Sequence, residues 1–247
     1  MNPIRMAMSN ITVAYHGDIT ILKDVGIQAR RGEVTGIIGP NGAGKSTVLK
    51  SLFGFLRPRK DGVIVLDDQD ITSLKPHERA RHGVAFVPQN RSVFGDLSVE
   101  DNLLLGCWPF KSDKQRVARA LDQVYARFPI LRTKRNDMAS SMSGGQQRFL
   151  ELARALLLDP KVILLDEPTA MIAPKLSKEI YLLIRQLADE GMTIILVDQN
   201  VRQCIHVSDH VYILELGRNK ADGRGDEFRS ASALQEMVAT WMDYKID

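Results

Sequence analysis

Apolar positions along the chain follow two rhythms. Ile11, Val13 and Tyr15 alternate with polar or small residues, and Ile19, Ile21, Val25 and Ile27 do so further on. That period of two predicts two half-buried strands joined at His16-Gly17-Asp18. Short apolar runs at 34–38, 63–66, 84–87, 162–165, 193–197 and 211–216 predict further strands, those at 162–165 and 193–197 buried on both faces. Elsewhere the spacing is helical. Leu176, Ile180, Leu183, Ile184 and Leu187 form one apolar face of a helix that begins near Pro174 and is closed by Gly191. Residues 146–158 predict another helix, and 226–247 a terminal one.

The strand–helix alternation breaks between Gln89 and about Ser141. Within that stretch Ser98-Val99-Glu100-Asp101 is a capping box for a short helix. Ser112-Asp113 opens a second helix, whose apolar positions Val117, Leu121, Val124 and Phe128 recur at helical spacing. The pattern predicts one α/β domain over 1–247 with a mainly parallel sheet covered on both faces. Its core would be 1–89 and 142–225, interrupted by a helical insert at 90–141 and followed by a C-terminal helix at 226–247.

The run 39–47 reads Gly39-Pro40-Asn41-Gly42-Ala43-Gly44-Lys45-Ser46-Thr47. It follows an apolar strand and precedes the helical positions Val48, Leu49, Leu52 and Phe53. This is the phosphate-loop pattern in the setting where it works. Glycines let successive N–H groups turn inward as an anion nest at the positive end of a helix. Lys45 can add a charge at the β- and γ-phosphates, and Ser46 a hydroxyl for Mg²⁺. The chain is expected to bind a nucleoside triphosphate.

Composition narrows the classes only a little. Apolar content of 44% and charged content of 26% are those of an ordinary globular protein. A net charge of +3 gives no argument for a nucleic-acid partner, and Arg57-Pro58-Arg59-Lys60 and Arg132-Thr133-Lys134-Arg135 read as solvated loops. Two cysteines far apart, Cys107 and Cys204, point to a reducing compartment without a disulfide framework. No apolar stretch is long enough to cross a bilayer, and Met1-Asn2-Pro3-Ile4-Arg5-Met6 lacks the apolar core of a signal peptide. The expectation is a cytoplasmic protein that reaches a membrane through a partner.

Two further strings carry chemistry. Asp166-Glu167 ends the apolar run 162–165, and a carboxylate pair at the carboxyl end of a central strand lies where open α/β sheets bind ligands. Asp166 suits Mg²⁺, which takes a few hard oxygen ligands, and Glu167 is then placed to accept a proton from an attacking water. Ser143-Gly144-Gly145-Gln146 opens a helix and makes a second candidate anion site. One nucleotide cannot obviously touch both sites within one chain.

The order of 39–47, Gln89, Met142-Ser143-Gly144-Gly145-Gln146 and Leu164-Leu165-Asp166-Glu167-Pro168 resembles the nucleotide-binding subunits of ABC transporters over essentially the whole chain. The resemblance implies a P-loop ABC ATPase core with a small antiparallel β portion near the amino terminus and an inserted helical subdomain. It implies Mg-ATP held between the phosphate loop of one protomer and Ser143–Gly144–Gly145–Gln146 of another, which resolves the distance puzzle. It also implies Tyr15 stacked on adenine, and Gln89 as a metal contact linking the nucleotide to the insert and to a membrane partner.

Finer strings resemble the smaller ATPase of branched-chain amino acid importers, with relatives serving urea and other amides. They are Asp67-Asp68-Gln69-Asp70-Ile71-Thr72, Val87-Pro88-Gln89-Asn90-Arg91-Ser92-Val93-Phe94 and Met192-Thr193-Ile194-Ile195-Leu196-Val197-Asp198-Gln199-Asn200. That type has glutamine, here Gln199, at a switch position where most ABC ATPases carry histidine. Glutamine can donate a hydrogen bond to a γ-phosphate oxygen but cannot carry a proton. The implied partners are a second ATPase subunit, transmembrane permease subunits and, indirectly, a solute-binding protein.

Asn200-Val201-Arg202-Gln203 also resembles ATPases that extract lipopolysaccharide, which keeps that reading as an alternative. A soluble ABC ATPase of DNA repair or translation is disfavoured, because such chains carry two cassettes or a long coiled coil. A module that closes on ATP without hydrolysing it is disfavoured by the intact Glu167. Where the family has Gly-Leu after the Glu-Pro-Thr-Ala string, this chain has Met171-Ile172, and Ala173 replaces a common aspartate. Met171 makes that loop bulkier and less free to adopt positive φ.

Overall fold

A computed structural model describes residues 2–15, 19–59 and 61–230. The strands are β1 (Ile4–Tyr15), β2 (Ile19–Arg30), β3 (Val34–Ile38), β4 (Val63–Leu66), β5 (Gln69–Asp70), β6 (Val84–Val87), β7 (Val162–Asp166), β8 (Thr193–Val197), β9 (His210–Glu215) and β10 (Arg218–Arg224). The helices are α1 (Lys45–Phe53), α2 (Pro76–Arg81), α3 (Val99–Gly106), α4 (Lys114–Arg127), α5 (Pro129–Thr133), α6 (Gly144–Leu156), α7 (Pro174–Asp189), α8 (Val201–Val207) and α9 (Gly225–Ser230). The turn expected at His16-Gly17-Asp18 and the terminal helix beyond residue 230 lie outside the described residues.

Six strands form one sheet in the order β10-β9-β3-β8-β7-β6. All its neighbours run parallel except β9 and β10. Strands β3, β7 and β8 are buried at every residue, which is why each reads as an unbroken apolar run. Successive side chains still point to opposite faces. Ile163, Leu165, Ile194 and Leu196 join a cluster with α6, α7 and α8, whereas Leu164, Ile195 and Val197 join one with α1 and the amino-terminal strands. The second sheet, β2-β1-β4-β5, is antiparallel and lies over that other face.

The amino-terminal hairpin corrects one expectation. In β1 the buried residues are Met6 and Met8, then Ile11 and Val13, because the register shifts between Met8 and Ile11 where Asn10 takes φ +55°. In β2 the inward residues are Leu22, then Val25 and Ile27, with Asp24 at φ +56° between them. Ile19 is therefore exposed and Ile21 only half-buried, so the inward alternation through Ile19 and Ile21 does not hold. A bulge resets the phase, which a fixed period of two cannot follow.

Between 90 and 141 the described elements are α3, α4 and α5, with short 3₁₀ turns at Trp108–Phe110 and Ala139–Ser141 and one isolated bridge, Ser98 to Met138. Ser98 Oγ caps α3 by accepting from the Asp101 amide, and Asp113 caps α4 through the Arg116 amide.

Arg79 on α2 fastens α1, the helix that follows the phosphate loop. Its guanidinium is 1% exposed and donates to the carbonyls of Ser51, Leu52, Thr72 and Leu74 at 2.7, 2.8, 2.8 and 3.2 Å. Two of those carbonyls belong to the last turn of α1: Ser51 also accepts the Gly54 amide at 3.1 Å, whereas Leu52 has Arg79 as its donor. Burial brings its pKa down to about 10, so it stays charged at neutral pH. Arg79→Met, which keeps much of the volume but removes the donor to the Leu52, Thr72 and Leu74 carbonyls, should lower the unfolding free energy by about 3 kcal/mol. Urea denaturation checks this, and a midpoint equal to the parent's would mean that the carbonyls find water instead.

Candidate functional site

The loop after β3 turns on Gly39 (φ +152°), Gly42 (φ +79°) and Gly44 (φ +99°) into α1. At Gly39 a Cβ would lie 2.1 Å from the Leu214 carbonyl oxygen, so only glycine fits between β3 and β9. Asn41 and Gly42 are exposed at the tip, Pro40 is half-buried, and Ala43 and Thr47 turn inward. Lys45 is buried, with its Nζ donating to the Gly39 and Pro40 carbonyls at 2.8 and 2.9 Å. Burial lowers its pKa, and the nearby Glu167 and Asp166 carboxylates oppose that shift.

Asp166 closes β7 and Glu167 follows it in the left-handed region, at φ +48°. Ser46 Oγ donates to Asp166 Oδ1 at 2.9 Å, joining the phosphate loop to the end of β7. Two hard oxygens from separate elements therefore meet beside the anion nest, a donor set that suits a small divalent cation. Burial raises the pKa of Asp166, with the Ser46 hydrogen bond pulling the other way. Burial likewise raises that of Glu167, against the hydrogen bond from Gln199.

Two further candidate residues converge on Glu167 Oε2. Gln89 Nε2, from the loop after β6, donates to it at 2.6 Å, and Gln199 Nε2, from the loop after β8, at 2.7 Å. The carboxylate thus sits between two neutral amides at the carboxyl edge of the sheet.

Three charged residues that sequence reasoning missed hold the Gln89 loop. Arg148 on α6 donates to the Pro88 and Gln89 carbonyls, both at 2.9 Å, and pairs with Glu151 at 2.8 Å. Glu151 accepts from the Ser92 amide, and Arg154 donates to the Ser92 carbonyl at 2.7 Å. The available signal was a buried Arg–Glu pair on the apolar face of a helix that also carries Leu150 and Leu152.

Ser143 caps α6, and its box with Gln146 is reciprocal: each backbone amide reaches the other's side-chain oxygen, at 3.1 and 3.4 Å. Ser143 is exposed, and Gly144 and Gln146 are half-buried. Gly145 is buried, and a Cβ there would meet Leu176 Cδ1 at 2.2 Å. Among the described residues no hydrogen bond joins 143–146 to 39–47. Tyr15 ends β1, half-buried and paired with Ile19. Its hairpin flanks the phosphate loop, since a Cβ on Gly44 would lie 2.7 Å from Leu22 Cδ2.

The profile of the ABC transporter family matches residues 22–170. The probable branched-chain amino acid transport ATP-binding protein LivF of Archaeoglobus fulgidus is 39% identical over 93% of this chain and 97% of its own. The high-affinity branched-chain amino acid transport ATP-binding protein BraG of Pseudomonas aeruginosa is 40% identical over 83% and 86%. The lipopolysaccharide export system ATP-binding protein LptB of Escherichia coli is 39% identical over 90% and 91%. Among solved structures, MJ1267, an ATP-binding cassette of an ABC transporter, superposes with a TM-score of 0.87 over 98% of this chain and 99% of its own, at 29% identity.

Met171, expected to make its loop less free to adopt positive φ, nevertheless stands at +57°, with its side chain fully exposed. Strain of this kind costs on the order of 1 kcal/mol or more. Met171→Gly should therefore raise the thermal midpoint slightly, a net gain of roughly 0.5 kcal/mol remaining after the extra unfolded-state entropy of glycine. A lower midpoint, read by calorimetry, would show that the unfolded-state entropy of glycine outweighs the strain.

Proposed function

The chain belongs to the ABC transporter family as the ATPase of a transporter, and from that premise we propose that it hydrolyses Mg-ATP to energise import of a branched-chain amino acid. The convergence of Gln89 and Gln199 on Glu167 is the observation that carries the catalytic part of this reading. LivF and BraG, named as branched-chain amino acid transport proteins, support the solute. LptB, at equal identity, supports a second reading in which the cargo is lipopolysaccharide. The permease subunits that co-purify from gently solubilised membranes decide between them.

In this proposal the amides of 39–47 and the Lys45 ammonium hold the β- and γ-phosphates. Ser46 and Asp166, with Gln89, would hold Mg²⁺, which when bound neutralises charge on the phosphate oxygens. Glu167 accepts the proton of the attacking water, and its raised pKa suits that task. Gln199 donates to a γ-phosphate oxygen as charge spreads over it. Tyr15 stacks on adenine. Ser143, Gly144, Gly145 and Gln146 complete the site of a second ATPase subunit, an arrangement supported by the exposure of Ser143 and the lack of any tie to their own phosphate loop. The core at 1–89 and 142–225 carries the nucleotide and the insert at 90–141 faces the permease. The transporter relatives support a place on the inner face of the membrane, reached through the permease subunits; no helix among the described residues is long and apolar enough to cross a membrane.

Glu167→Gln should bind ATP and accumulate closed dimers while losing hydrolysis, whereas Lys45→Ala should lose tight binding. Phosphate release and nucleotide affinity in the assembled complex separate the two. Hydrolysis by Glu167→Gln at the parental rate would remove that residue from the base role. Ser143→Arg should abolish closure while leaving ATP binding to the isolated chain intact, and unaltered dimerisation would refute the two-chain site.

Gln199→His should preserve substantial hydrolysis, because either side chain donates a hydrogen bond from a similar place. Gln199→Ala should lower kcat by about 10²-fold with little change in ATP affinity. Parental turnover in Gln199→Ala would leave Gln199 as a loop residue only.

A further inference from the structure

Below the Glu167–Gln199 contact lies a second connection between the same two loops. Thr169, two residues after Glu167, is buried and donates from Oγ1 to Asp198 Oδ2 at 2.8 Å. Asp198, immediately before Gln199, is 3% exposed and accepts the Asn200 amide on Oδ1 at 2.9 Å. Thr169 Oγ1 also lies 3.1 Å from the Tyr181 hydroxyl on α7. The Tyr181 hydroxyl and the Thr169 backbone amide also hydrogen-bond the Asp198 carboxylate. Among the described residues Asp198 forms no ion pair, so a buried carboxylate is kept for its hydrogen bonds alone. Burial raises its pKa, and the Asn200 amide and Thr169 hydroxyl work against that rise.

The place of this bridge gives it a task. The loop it pins runs between two strained residues, Glu167 at φ +48° and Met171 at φ +57°. Strained backbone persists only where surrounding contacts over-determine it. At the Glu167 end the backbone amide donates to the Val197 carbonyl at 2.7 Å, and the next side chain held across the gap is Thr169. On the facing loop, Asp198 holds the backbone of Asn200, so Gln199 stands between two fixed points. Neither Thr169 nor Asp198 hydrogen-bonds to the phosphate loop.

We propose that Thr169 and Asp198, supported by Tyr181, are positioning residues for ATP hydrolysis: the bridge sets the distance between the Glu167 carboxylate and the Gln199 amide without touching nucleotide. This rests on the catalytic reading of Glu167 and Gln199 given above. Misplacement of a catalytic pair lowers turnover while the remote phosphate contacts that bind ATP are unchanged.

The test compares parent, Thr169→Val, Thr169→Ser and Glu167→Gln in the assembled complex, measuring kcat, KM for ATP, nucleotide affinity and thermal midpoint. Thr169→Val keeps the shape and removes the hydroxyl. It should lower kcat on the order of tenfold with affinity within about twofold of the parent. Thr169→Ser, which keeps the donor, should restore kcat to near the parental value at any midpoint. Parental kcat in Thr169→Val overturns the proposal. So does a serine variant as slow as the valine one, or a parallel loss of affinity and turnover, which would make the bridge a general support of the fold. Equal hydrolysis by parent and Glu167→Gln would instead overturn the base assignment beneath it, so the two failures are distinguishable.

Discussion

The site depends on the in-register parallel pairing of four neighbouring strands. Val87 faces Leu165, Asp166 faces Val197, and Val197 faces Ile37 across the ladders of β6, β7, β8 and β3. Each strand ends at the same edge, so the residues that follow emerge side by side. That alone brings Gln89, Glu167, Gln199 and Gly39 together from positions spread over most of the sequence. Every residue of β3, β7 and β8 is buried, and a one-residue slip would turn each inward side chain to the opposite face of the sheet. The core therefore holds the loop-bearing edge in alignment as a by-product of its packing.

Charge at that edge is arranged with few mobile protons. Glu167 is approached by two amides instead of a histidine or a lysine, and Asp166 by a hydroxyl. The carboxylates are stabilised by neutral donors and by the nearby Lys45 ammonium. No imidazole titrates among these contacts, so protonation at the edge is left to the carboxylates themselves. The glutamine at 199 is what removes the imidazole, and it does so while keeping a donor in place.

What could be read in advance was what lies contiguous along the chain. The phosphate loop, the Asp166-Glu167 pair and the doubly buried strands β3, β7 and β8 each carry their signal within a few residues. The hairpin was harder, because Asn10 and Asp24 shift the phase in mid-strand and the inward positions change parity. Strand β10 and helix α2 had no apolar pattern to show: Arg218–Arg224 is mostly exposed, and α2 buries a single arginine. Arg79 and Arg148 escaped for a common reason. Both act on backbone carbonyls distant in sequence, and a carbonyl has no residue type to recognise. Asp198 was in plain view beside Gln199, but its partner Thr169 approaches from the other loop.

The grip of α6 on the loop after β6 bears on how such chains can be recombined. Helical residues Leu103, Phe128 and Leu131 share one apolar cluster with Ile163, Leu165 and Ile180 of the core, and Arg148 and Arg154 clasp residues 88, 89 and 92. A cut at 90 and 141 would part Ser92 from Glu151 and Arg154, leaving those two facing a foreign loop while Arg148 keeps Pro88 and Gln89. Exchange of the insert between relatives has its natural seams further out, before Pro88 and after α6. A chimaera built on those seams inherits the clasp whole, so the unit of inheritance is larger than the helical segment that the eye picks out.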